Sequence, residues 1–119
     1  MNGQAFHTHE QAGVTVVALS QSTYVDVEVV ELGSELLDFV REQQPQKLLI
    51  DMHAVSMSNN AIHTVLLNAQ KVVEGFGGQL KLCGLSPLVR EVMEMLHLVG
   101  NIFDVHDSVA EAVDAFARQ

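Results

Sequence analysis

Ser58, Asn59 and Asn60 stand together in "SMSNNAIHTVL", directly after the apolar run "KLLIDM". A run of that kind reads as a buried strand, and the residues that follow read as the start of an amphipathic helix. Asn59 or Asn60 can act as N-cap, its side-chain oxygen accepting a hydrogen bond from a backbone amide two or three residues on. The same place can do chemistry. A helix start carries unpaired amides and positive dipole character, so an anion is tolerated there. A hydroxyl at that spot can carry a phosphate, whose charge changes how the surface meets a partner. His63 and Thr64 follow within the first turn.

Other residues offer other chemistry. Asp51 ends the apolar run and His53 follows it by two. Strand ends are common functional positions in open α/β sheets, and with His63 this pair suggests an enzyme or small-ligand site. Capping of the loop "MHAVSMS" by Asp51 is the structural alternative. His7 and His9 are two apart, so on a strand they share one face. Two imidazoles alone fall short of the usual ligand count, and no Cys or carboxylate is placed to complete the set, so no metal site is expected. His97 and His106 are scattered. Cys83 is the single cysteine, set in the apolar stretch "LKLCGL", and reads as a buried thiol rather than a catalytic one.

Several functions are excluded. There is no G-x-x-x-x-G-K-[ST] phosphate loop. "GFGG" lies between a helix and a strand, the wrong end for a dinucleotide fingerprint, and reads as a tight turn. The formal net charge of −9 opposes general nucleic-acid binding, which needs a cationic surface. No apolar run is long enough to span a bilayer. The start, "MNGQAFHTHEQAG", has no basic region followed by an apolar stretch, so no signal peptide is expected. With one lone cysteine, the expected location is cytoplasmic. No cofactor is implied.

These residues need a frame, and 119 residues, 48% of them hydrophobic, suffice for one domain spanning 1–119. "AFHTHE" and "GVTVVALS" read as two strands with Gly13 in the turn. From about Val25 to Gln43 the residues Val29, Leu32, Leu36, Phe39 and Val40 recur at helical spacing, and Pro45 stops that helix. "KLLIDM" is a strand covered on both faces. The next helix runs from about Asn60 to Glu74, with Ile62, Val65, Leu66, Ala69 and Val72 inward. His63, Thr64, Asn68, Lys71 and Glu74 fall mostly outside that stripe, and Gly75 ends the helix. "QLKLCGL" is a further buried strand. "SPLVREVMEMLHL" opens with Ser86 as N-cap and Pro87 at the first helical position. "NIFDV" reads as a short edge strand. "DSVAEAVDAFARQ" closes the chain as a helix with Ser108 and Glu111 at capping-box spacing. The order ββαβαβαβα predicts an α/β fold, a mostly parallel central sheet with a mixed edge and about four helices.

From Gly13 to Phe116 the chain resembles a STAS domain, the fold of bacterial anti-sigma factor antagonists. "GGQLKLCGLSPLVREVMEML", from Gly77, is similar to the family's G-G-x-L-x-L-x-G-L-x-P-x-V-x-x-x-L pattern. "IFDVHDSVAEAV" is similar to its last strand and helix. Asp51 matches the family's strand-end Asp, Val55 its inward valine and Met57 its large apolar position. Asn59 falls where the family has Asp, and Asn60 where it has the phosphorylated Ser or Thr. Ala61 and Ile62 replace the small residues that follow. "LSQSTYVD" lacks the usual Gly-x-Leu-Asp, and Leu98 stands where many members have Gly.

The resemblance implies a bacterial, cytoplasmic regulator of transcription, not an enzyme. Such a protein binds an anti-sigma factor or histidine-kinase-like regulator through Ser58, Asn59, Asn60, His63 and Thr64. Asn60 cannot accept a phosphate ester, so the off-switch would be absent; a shifted register makes Ser58 the alternative phosphorylation site. A homodimer is compatible with an edge strand bearing His7 and His9. Two other readings stay open: a STAS scaffold subunit of a signalling or lipid-transport assembly, and a small-ligand binder or enzyme built on His53, His63 and Asp51.

Overall fold

The computed structural model describes residues 5–118. Strands β1 (Phe6–Gln11) and β2 (Val14–Leu19) form a hairpin closed by Ala12 and Gly13. There follow α1 (Val27–Gln43), β3 (Lys47–Asp51), α2 (Asn60–Gly75), β4 (Gln79–Cys83), α3 (Pro87–Met95), β5 (Asp104–His106) and α4 (Val109–Ala117). The five strands lie in the order β1-β2-β3-β4-β5, β1 antiparallel to β2 and every other pair parallel. The expected α/β architecture, with a parallel centre and a mixed edge, is therefore found.

Alternation along the strands builds two cores. Leu48 and Ile50 of β3 pack into the larger one with Leu32, Leu36 and Val40 of α1 and Ile62, Leu66 and Val73 of α2. Leu49 points the other way, joining Val14, Val16, Cys83, Ala112 and Phe116 beneath α4. The continuous apolar run in β3 is thus explained by cover on both faces.

Two glycines of the family-like stretch are fixed by close approach. A Cβ on Gly78 would lie 2.9 Å from both the Pro45 carbonyl oxygen and Val73 Cγ1. Gly84 has φ of 74°, and a Cβ there would sit 2.9 Å from Asp51 Oδ1.

Boundaries shift where backbone geometry overrides periodicity. Helix α1 starts at Val27 rather than Val25, because Asp26 has φ of 53° and cannot continue a helix backwards. Helix α3 ends at Met95, with His97 at φ of 60° and Leu98 N donating to the Met93 carbonyl at 2.9 Å. Asn101 and Ile102 belong to a turn, so β5 begins only at Asp104. On α2 the buried position is Val73, and Val72 is half-buried.

Candidate functional site

The turn between β3 and α2 is held down by the loop between β2 and α1. Ser56 N and Met57 N both donate to the Ser22 carbonyl, at 2.9 and 3.3 Å. Asn59 is the N-cap of α2, its Oδ1 accepting from Ile62 N at 2.9 Å. Its Nδ2 donates to the Tyr24 carbonyl at 3.2 Å. One amide side chain therefore caps the helix and ties the two loops together. A carboxylate could do the first but has no proton for the second. Tyr24 is itself buried, its hydroxyl donating to the Ala5 carbonyl and accepting from Ser20 N at 2.9 Å and Gln21 N at 3.2 Å.

Asn60 is the first residue of α2 and is exposed. Thr64 is exposed too, its hydroxyl turned back to the Asn60 carbonyl at 2.9 Å. Ser58 is half-buried. His63 departs from the outer face expected for it. It is only 4% exposed, and its Nε2 lies 3.1 Å from Ser58 Oγ. The inner arc of α2 is wider than the stripe read from periodicity, because position 63 stands three residues before Leu66 and borders Ile62. Burial pushes the His63 pKa below 6.5, and its Nδ1 has no partner among the described residues. Four of the five expected partner-facing residues thus reach the surface, and His63 supports them from below.

Asp51 and His53 form a separate pair. Asp51 is 7% exposed; its Oδ1 accepts from His53 N at 3.0 Å and its Oδ2 meets His53 Nδ1 at 2.9 Å. Asp51 thus closes its own loop. His53 turns to Asp51 and His63 to Ser58, and no hydrogen bond among the described residues joins the two pairs. Cys83 lies behind Asp51, and burial, then the Asp51 charge and hydrogen bond, push its thiol up to about 12. Among the described residues no group of three or more His, Cys, Asp or Glu could hold a metal ion.

The surface beside Ser58 is apolar and acidic. A hollow of about 230 Å³ is lined by Thr23, Val25, Met57, Ser58 and Asn59. Met57 is 56% exposed, and Val27 and Val30 on the first turns of α1 are 67% and 71% exposed. Asp26 and Glu31 are exposed beside those valines, and segments 20–40 and 48–70 contain no Lys or Arg. Periodicity reasoning missed this patch. Its signal was available: Val27 and Val30 fall off the stripe defined by Val29, Leu32 and Leu36.

The family model for the STAS domain matches residues 5–112. This chain belongs to the STAS domain family. An anti-sigma-factor antagonist STAS domain protein from Planctomyces limnophilus is 25% identical, with TM-score 0.82 over 94% of this chain and 97% of that one. The anti-sigma factor antagonist SpoIIAA in its unphosphorylated form is 17% identical, with TM-score 0.77 over 97% and 98%. A chain of the stressosome, a signal integration and transduction hub, is 20% identical, with TM-score 0.68 over 95% and 100%. Comparison with curated proteins by sequence returns no match. Within this STAS domain, Asn59 and Asn60 occupy the N-cap and first position of α2. No helix among the described residues is long and apolar enough to cross a membrane.

Proposed function

We propose that this STAS domain is a protein-docking regulator of the anti-sigma-factor-antagonist type, with no phosphate switch at Asn60. The observation that carries the reading is the exposed Asn60 at the start of α2, next to Asn59, which lines an apolar hollow with Val25 and Met57. An amide there is neutral and cannot form a phosphate ester, so the face keeps one charge state. The partner is an anti-sigma factor or histidine-kinase-like regulator. Exposed apolar side chains on segments that carry acidic and no basic residues call for a partner with apolar anchors and a basic rim. Ser58 is the hydroxyl of the turn nearest the start of α2, and phosphorylation there is the competing form of the same reading. Phosphopeptide mass spectrometry after kinase treatment separates the two.

The test is affinity capture with the wild type beside Asn60→Glu, the captured proteins being identified by mass spectrometry. The first turn of α2 holds no acidic residue, so a carboxylate at its positive end favours the helix and leaves the fold intact. The wild type is expected to retain an anti-sigma factor or kinase-like regulator that Asn60→Glu loses. Capture of the same set by both refutes the reading.

A further inference from the structure

Strand β1 is the outer strand of the sheet, and its far edge has no strand partner among the described residues. Natural edges are commonly blunted by Lys, Pro or a bulge. Phe6–Gln11 contains neither Lys nor Pro, and it pairs with β2 in an unbroken register of six residues. Its one acidic side chain, Glu10, is engaged by the Thr15 hydroxyl at 2.7 Å. Among the described residues the edge is thus open, and the strand carries no lysine to repel a second one.

The direction of the outward groups follows from the register. Gln11 and Val14 flank a two-residue turn and form a hydrogen-bonded pair, and such pairs recur at every second residue. The bond from Ser20 N to the Ala5 carbonyl, at 3.2 Å, agrees with that phase. His7 and His9 therefore spend their backbone groups on β2, and Thr8 turns its N–H and C=O outward. A second copy can pair antiparallel with this edge about a two-fold axis at Thr8. Thr8 then faces Thr8 of the second copy as the hydrogen-bonded pair. His7 faces His9 of the second copy as the non-bonded pair, in which side chains approach most closely.

His7 and His9 are both exposed and, two residues apart, share one face about 6.6 Å apart along the strand. One chain offers two imidazoles, and about four ligands close a zinc site. The pairing described brings four together on one face, with the cross-strand neighbours about 5 Å apart. His9 Nε2 lies 3.3 Å from Gln11 Oε1. With the proton held on that nitrogen, Nδ1 carries the lone pair for a metal. Imidazole ligands suit zinc and its borderline-soft neighbours and exclude magnesium and calcium.

We infer that the β1 edge joins two copies of this chain across a divalent zinc-type cation held by His7 and His9 of each. The site is incomplete in one copy, and it is independent of the docking face at α2.

The experiment measures mass by light scattering on a gel-filtration column, using the full chain without a histidine tag. Runs contain EDTA, zinc chloride or magnesium chloride. Zinc is expected to double the mass, with one zinc per two chains by elemental analysis, and EDTA or magnesium to leave single copies. Two variants test the geometry. His7→Ala combined with His9→Ala removes the ligands from exposed positions. Thr8→Pro removes only the outward N–H, a position at which an edge strand accepts proline. Both are expected to stay single with zinc, with circular dichroism checking that each remains folded. Unchanged mass of the wild type with zinc, or a zinc-driven dimer that survives the double substitution, overturns the inference.

Discussion

Ser58 Oγ and His63 Nε2 stand 3.1 Å apart, and the imidazole lies buried beneath the turn that carries Asn59 and Asn60. The neutral ring suits this place. Its other nitrogen, Nδ1, has no partner among the described residues, so a proton added there would be both buried and unpaired.

Stability should therefore fall with acid. Burial holds the His63 pKa below 6.5 in the folded state, while the unfolded chain titrates near the ordinary value. Below 6.5 the unfolded state binds a proton that the native state refuses, so the native state loses ground as pH falls toward the folded pKa. The slope from this residue is at most about 1.4 kcal/mol per pH unit. Urea midpoints between neutral and mildly acid pH should decline for the wild type. His63→Phe should show a shallower decline, and an equal decline in both would place the acid sensitivity elsewhere.

Asn59 is expected to resist substitution in a graded way. Asn59→Ala loses the cap and the tie to the Tyr24 carbonyl, and caps alone contribute about 1 kcal/mol. Asn59→Asp keeps an acceptor for Ile62 N and gains from the helix dipole, but it sets a carboxylate oxygen against the Tyr24 carbonyl. The order of stability by chemical denaturation should be wild type, then Asp, then Ala, with Ala lower by about 1–3 kcal/mol. An Asp variant as stable as the wild type would show that the tie between the loops contributes little.

How much of this was legible follows from the kind of signal each residue carries. The stretch from Gly77 to Pro87 was readable because backbone demands fix residue types: Gly78 leaves no room for a Cβ, and Ser86 caps α3 by accepting from Val89 N at 3.2 Å. The inner strands β2, β3 and β4 were readable because two covered faces require apolar runs. His63 was misplaced because a polar residue at the margin of a helical stripe gives no sign of whether tertiary contacts cover it. The clasp of Ser22 and Tyr24 on the turn was invisible, since it joins residues about 35 positions apart through backbone carbonyls, which every residue possesses. The start of α1 was misjudged because the left-handed backbone at Asp26 leaves no mark on the apolar spacing.

Gly84 marks the point where β4 passes the Asp51 loop. With φ of 74° and Asp51 Oδ1 2.9 Å from the place of a Cβ, alanine there would meet strain and a clash together. The expected loss for Gly84→Ala is about 2 kcal/mol or more. A thermal melt should show it directly. The Asp51 carboxylate would be displaced from His53 N, loosening the turn from its β3 end. A melting temperature within error of the wild type would mean that the loop moves aside freely.

The exposed valines provide the most direct separation of fold from docking. Val27 and Val30 lie outside both cores, so Val27→Ser with Val30→Ser should change stability by no more than about 0.5 kcal/mol per site. Buried at an interface, two such side chains would contribute far more; a loss of about 2 kcal/mol corresponds to roughly thirtyfold weaker binding. Titration calorimetry with the captured regulator should show that weakening while the melting temperature holds. Met57→Ser should act in the same direction, since Met57 borders the same hollow as Val25 and Asn59. Raising the salt concentration should weaken the wild-type complex further, because exposed Asp26 and Glu31 face a basic rim only while that attraction is unscreened. Binding that is indifferent both to the valines and to salt would locate the docking face away from α1, even if Asn60→Glu abolishes capture.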